Sequence, residues 1–295
     1  MTLRITIDIF SGRNNPIIEL SPRQAADFLE KVMPTTKLKR DAIPNPDWRL
    51  GYRGLLVERT RGGGRTLPRS FRIAAGALYT ADSSFSIADP TVEQGLFEPG
   101  GFGDKLKIKG IDDPRNVLRK AVKELWKFRD EYHRPEHSRR HRRHPKCECA
   151  PLYEPLWWND GGQKQFNNNC YNYACDYRTD TFAQPGQANG AMYTALTCAA
   201  VKPAAIADAL LDNPGANNRC PKEGHLVALV IWPGVDFHWY RKGRNGLWSH
   251  KPGPTQVRYI DNSGHVIHDP RTADRGGYVN FCSFMTAMHG HIKIR

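Results

Sequence analysis

The sequence predicts an α+β protein, and three observations carry that reading. Apolar residues alternate at Ile5, Ile7 and Ile9, the period of a strand with one buried face. Val117, Leu118, Ala121, Val122, Leu125 and Phe128 repeat at helical spacing behind Asp113-Pro114. In the second half a helical segment precedes several strands joined by short turns, so helices and strands come in separate runs.

Taken in order, "RITIDIFSG" is a strand and "SGRNNP" turn chemistry. "IIEL" is a short second strand, and Ser21-Pro22 supplies an N-cap and a first-turn proline. Ala25, Phe28, Leu29 and Val32 then mark a helix that stops at Pro34. Two strands are expected at Tyr52 to Glu58 and Ser70 to Leu78, joined by the flexible "RTRGGGRTLP". No helix carrying Lys-Ser or Lys-Thr follows that glycine run, so it reads as a hairpin loop and not a phosphate cradle. With the helix behind Asp113-Pro114, residues 1–132 make a small N-terminal α+β domain.

Residues 133–146, "HRPEHSRRHRRHPK", hold no apolar residue apart from proline and read as a basic linker. Residues 147–295 form the second domain. "KPAAIADALLDN" places a short helix at Ala204 to Leu211, and "HLVALVIW" (His225 to Trp232) is a buried strand. Hairpins are expected around "RNG" in Asp236 to Gly253 and around "NSG" in "VRYIDNSGHVIHDP".

Composition narrows the class. At 295 residues with 39% hydrophobic content the chain can bury sizeable cores, which excludes wholesale disorder. No apolar run approaches membrane-spanning length, so no membrane span is expected. The first residues alternate as a strand, unlike a charged head and apolar run, so the expectation is a cytoplasmic protein or one exported without a cleaved signal. The net charge of +13 favours an anionic partner, such as nucleic acid, a membrane surface or cell-wall polymer. Seven cysteines, an odd number at irregular spacing, argue against a complete disulfide framework: at least one thiol is expected free if the protein is oxidised, and all of them in a reducing cytosol.

The chemistry concentrates at "NNNCYNYACDY". Asn168 or Asn169 is a good N-cap, which sets Cys170 in the first turn of a helix. Unpaired N–H groups and the helix dipole there favour a thiolate and can stabilise an oxyanion. Cys175, five residues on, gains neither benefit. Candidate bases lie on the strands downstream. His225 and His238 are thirteen residues apart, and His238 and His250 twelve. If "RNG" closes a three-residue loop with Gly246 left-handed, Tyr240 pairs with His250 and His238 shares its face; a two-residue turn flips His250 away. His238 is favoured as base with His250 orienting it. His225 is the alternative base and Asp261 a further possible orienter.

"NNCYNYA" followed by "GHLVALVI" resembles the papain-like cysteine hydrolases, the NlpC/P60 and CHAP amidases and peptidases more than papain itself. The resemblance implies a papain-like C-terminal domain, a helix plus antiparallel sheet, that hydrolyses a peptide or amide substrate. Tyr171 departs from the glycine or serine usual after such cysteines.

A zinc site at His141, His144, Cys147 and Cys149 is weighed against a spacing that matches no common finger and a basic segment that repels a cation. No metal and no cofactor is therefore expected. The leading expectation is a cysteine peptidase or amidase. Its competitors are a non-enzymatic binding module for an anionic polymer, nucleic acid or cell wall, and a toxin or effector that combines both.

Overall fold

The computed structural model describes residues 2–39, 45–61, 67–131 and 145–295. The chain is α+β, and its internal contacts divide it into two compact units. Unit 1 holds Met1–Ile9, Asn15–Asp47 and Tyr52–His133; unit 2 holds Phe10–Asn14, Trp48–Gly51 and Arg134–Arg295. A single cut at residue 132 does not describe this division, because two short N-terminal segments cluster with the C-terminal part. The glycines of "RTRGGGRTLP" and nearly all of the basic stretch 133–146 lie outside the described residues.

Unit 1 runs β1 (Thr2–Asp8), β2 (Ile17–Leu20), α1 (Pro22–Lys31), β3 (Pro34–Lys37), β4 (Gly54–Arg61), β5 (Ser70–Ala74), β6 (Ala77–Tyr79), β7 (Ser84–Ile87), α2 (Val92–Leu96) and α3 (Pro114–Glu131). The seven strands form one sheet in the order β2-β1-β4-β5-β6-β7-β3. Leu3, Ile5 and Ile7 of β1 are buried, as their alternation demands. Ser21 caps α1 and Gln24 reaches back to the Ser21 N–H at 3.0 Å, a reciprocal capping box.

The run expected as one strand from Ser70 to Leu78 breaks at Ala75 and Gly76. Both have left-handed backbones (φ 47° and 73°), and the chain folds back as the β5–β6 hairpin. Gly76 fits because a Cβ there would meet the Trp126 ring at 2.9 Å. Two buried acids organise this unit. Asp8 bonds Arg53 at 2.7 Å and Arg72 at 2.8 Å. Glu93 accepts from the Tyr52 hydroxyl at 2.8 Å and the Gly76 N–H at 3.2 Å.

Unit 2 runs α4 (Pro155–Trp158), α5 (Gln163–Asn167), α6 (Cys170–Ala174), α7 (Cys198–Ala207), β8 (Leu211–Asp212), β9 (His225–Trp232), β10 (Asp236–Lys242), β11 (Trp248–His250) and β12 (Asn280–Ala287). The sheet is antiparallel in the order β11-β10-β9-β12-β8. α7 begins six residues ahead of the expected helix, capped by Thr197 and carrying Pro203 inside. β12, which the sequence reading passed over, is a central strand between β9 and β8. The "NSG" segment makes only the isolated bridge Ile260↔Val266 instead of a full hairpin.

Each face of this sheet has its own core. Val227, Leu229 and Ile231 of β9 with Phe237 and Trp239 of β10 pack with Cys170, Tyr171 and Ala174 of α6. Leu226, Ala228 and Val230 with Tyr240 pack with Trp248, Tyr278 and Phe284 on the other side. Four of the seven cysteines pair, Cys147 with Cys220 and Cys198 with Cys282, which corrects the expectation of free thiols throughout.

Candidate functional site

Asn169 is the N-cap of α6, and Cys170 is its first residue. The cap is locally complete. Asn169 Oδ1 accepts from the N–H groups of Tyr171 (3.0 Å) and Asn172 (3.1 Å), and Asn172 Oδ1 accepts from the Asn169 N–H at 3.1 Å. The cap itself therefore takes the N–H groups of Tyr171 and Asn172, which are not left for an oxyanion. Asn169 Nδ2 also donates to the carbonyls of Gly12 and Ala183, both at 2.8 Å.

Cys170 is fully buried, and its Sγ lies 4.0 Å from the Phe237 carbonyl. Burial, reinforced by the charge of Asp236, pushes the thiol well above its usual 9. This reverses the expected activation: α6 is a single turn of five residues, and its dipole does not offset full desolvation.

The "RNG" loop takes the branch that pairs Tyr240 with His250, with Gly246 left-handed at φ 77°. His238 and His250 therefore share a face and meet, Nε2 to Nδ1, at 2.9 Å. His250 Nε2 lies 3.0 Å from the Ile260 carbonyl and must donate to it. In the neutral ring Nδ1 then accepts, so His238 Nε2 carries the shared proton. Both rings are buried, with Tyr240 stacked on His250 at 5.1 Å and Tyr278 5.8 Å from His238.

That face is not the face of Cys170. His238 pairs with Val230 and Trp239 with Leu229, so the β10 residues on either side of His238 point to α6 and His238 points away. The expected dyad of Cys170 thiolate and His238 base is not assembled: the sheet lies between them. The hairpin reading aligned the two histidines correctly, but the face of Cys170 depended on which side of β10 α6 packs, and no residue spacing reports that.

The other expected residues have structural partners. His225 Nε2 donates to the Ala174 carbonyl at 2.7 Å, closing the end of α6, and burial lowers its pKa to about 4, so it is neutral. Asp261 does not orient a histidine; its oxygens accept the N–H groups of Ser263 and His265 (both 3.0 Å) and Asp274 (2.9 Å). Cys147 is in a disulfide and is no zinc ligand, Cys149 is exposed and donates to the Lys222 carbonyl at 3.2 Å, and His141 and His144 lie outside the described residues.

Sequence reading missed the polar residues that fix this region. Lys251 is buried and donates to the carbonyls of Gln165 (2.5 Å), Asn168 (2.7 Å) and Gly253 (2.7 Å). Ser249 meets the Tyr173 hydroxyl at 2.7 Å, and Trp248 Nε1 donates to Asn218 Oδ1 at 2.8 Å. All four side chains of "WSHK" are thus committed to neighbours. Arg241 lies over the Tyr173 ring and bonds Asp176 at 2.6 Å. The readable signal was the polar density of "WSHKPG", which marks a buried network as readily as a catalytic one.

Fold and site together define a disulfide-linked α+β protein whose thiol and paired histidines are sealed on opposite faces of one sheet. Over 140 residues the chain is 46% identical to insoluble matrix shell protein 1 of Ruditapes philippinarum, covering 46% of this chain and 90% of that protein. The chain belongs to the family of that shell matrix protein. No family model and no solved structure matches it.

Proposed function

We propose that the chain is a non-enzymatic component of an extracellular matrix that binds an anionic polymer through unit 1. The observation that carries this reading is a row of exposed lysines on α3. Lys120, Lys123 and Lys127 are exposed, and helical spacing sets them within about 60° of one another along about 10 Å of the helix. Lys127 has a weak partner in Glu131 at 3.8 Å, and no ion pair engages Lys120 or Lys123 among the described residues. The charge is also unevenly spread. Residues 1–131 hold 23 Lys and Arg against 17 Asp and Glu, whereas residues 147–295 hold 14 against 12.

Two further points support it. The shell matrix relative is named for a matrix role, and the sealed Cys170 removes the main motive for a hydrolase. Disulfides persist in oxidising compartments, so the two in unit 2 favour export over residence in the cytosol. No helix among the described residues is long and apolar enough to cross a membrane.

The test compares retention on immobilised dextran sulfate and neutral dextran across a salt gradient. The wild-type chain is expected to bind the sulfated resin alone and to elute earlier as salt rises. Lys120→Glu, Lys123→Glu and Lys127→Glu together should weaken binding about tenfold. Equal retention on neutral dextran, or an unchanged triple variant, refutes the proposal.

A further inference from the structure

Unit 2 holds one short stretch of chain in a manner unlike the rest of its packing. Within Phe10–Asn14 the polar main chain is gripped by side chains instead of a strand ladder. The buried carboxylate of Asp236 accepts the N–H of Ser11 at 2.6 Å and of Gly12 at 3.2 Å. The Gly12 carbonyl accepts from Asn169 Nδ2 at 2.8 Å and from Gln184 Nε2 at 2.7 Å. Arg13 donates to the Val235 carbonyl at 2.7 Å. Tyr278 donates to Asp236 at 2.6 Å and reaches Ser11 Oγ at 3.2 Å.

The fit is also selective. A Cβ at Gly12 would stand 2.4 Å from the Phe237 ring, and that ring is wedged among Cys170, Tyr193 and Trp239. A carboxylate with paired N–H groups, two amides on one carbonyl and an aromatic floor that admits only glycine make a receptor for a bent Ser-Gly-Arg segment. Asp236 is wholly buried, so an empty receptor would leave its carboxyl with Tyr278 but without the Ser11 and Gly12 N–H donors.

We propose that this cleft of unit 2 is a self-association site, which the Phe10–Asn14 segment of a second copy of the chain fills in trans when the cleft's own segment is displaced. Every copy carries both halves, and the glycine requirement excludes most other peptides. The inference stands apart from polymer binding by unit 1, since it is read without any polymer present.

Full-length Gly12→Val blocks its own segment while leaving the cleft intact. The probe is a fluorescein-labelled peptide of residues 9–15, followed by anisotropy. It should bind Gly12→Val saturably and at least tenfold more tightly than the same peptide carrying valine at position 12. Bound peptide should also slow iodoacetamide labelling of Cys170, whose neighbours Asn169 and Phe237 contact Gly12. In sedimentation velocity, Gly12→Val mixed with Asp236→Asn should give a 1:1 complex, in which the intact segment of one variant fills the intact cleft of the other. If Gly12→Val does not fold, Ser11→Pro takes its place, because it removes the N–H that Asp236 accepts and the hydroxyl that Tyr278 reaches while leaving the cleft side chains unchanged. A folded variant that binds neither peptide nor partner, or binds both peptides equally, overturns the proposal.

Discussion

Glu93 gives unit 1 a pH response of unusual sign. Burial raises this carboxyl from 4.5 to about 7, against the bonds from Tyr52 and Gly76. The folded form therefore holds a proton that the unfolded chain releases. Stability from neutral Glu93 is fully present below about 4.5 and is lost as pH rises through about 7. A shift of that size corresponds to about 3 kcal/mol between the two ends of the window. The perturbation is Glu93→Gln. Glutamine can still accept from Tyr52, but its amide nitrogen or a turned side chain must face the Gly76 N–H. A cost of about 1–3 kcal/mol relative to wild type is expected at pH 4.5; because the pH dependence at this site disappears in the variant, that cost shrinks as pH rises.

The assay is equilibration in urea at pH 4.5 to 8 followed by a hydrogen-exchange pulse at one fixed pH, read on peptides covering β5 and β6. Wild-type midpoints should fall as pH rises, and those of Glu93→Gln should not. A variant with the wild-type slope, or a wild-type unit 1 that gains stability between pH 4.5 and 7.5, refutes the reasoning. Asp8 does not confuse the reading. Burial opposes its ionisation, but Arg53 and Arg72 hold it at about 2, so it titrates below the window.

His225 should give the opposite response in unit 2. Its pKa is depressed from 6.5 to about 4, so stability present above about 6.5 is lost as pH falls, by about 3 kcal/mol; exchange at β9 peptides reads it, and His225→Gln should flatten it. Native-state alkylation should modify exposed Cys149 first and reach buried Cys170 and Cys175 only on unfolding, as peptide mapping by mass spectrometry would show; rapid labelling of Cys170 in the wild-type chain would contradict its burial. Lys251→Met strips the donor from three carbonyls and should cost at least about 3 kcal/mol in urea denaturation. Asp8→Asn leaves buried Arg53 without its carboxylate and should cost about 3–5 kcal/mol at neutral pH.

The elements with a strong local signal were legible. The alternation of β1, the Ser21 cap, the apolar face of α3 and the run of β9 can all be read from neighbouring residues. The alignment of His250 with His238 was legible too, because it depends on one turn. What escaped was set by distant parts of the chain. Asp236 is held by Ser11 and Gly12, more than 220 residues away in sequence, and nothing in "VDFHWY" announces them. Ala75 takes a left-handed backbone in the two-residue turn between β5 and β6, a conformation that an alanine does not announce. The cap around Cys170 was foreseen, but its effect was misjudged because burial on the inner face of β10 is a property of the tertiary fold.

The two disulfides have a consequence beyond the compartment they favour. Their spans interlock: 147–220 and 198–282 overlap, so Cys198 lies inside the first and Cys220 inside the second. Any single backbone cut between 147 and 282 therefore leaves the two pieces tied by at least one sulfur bridge. A protease that nicks an exposed turn in this region releases nothing until a reductant also arrives. Damage of that kind stays local, and a nicked molecule keeps its mass and its place.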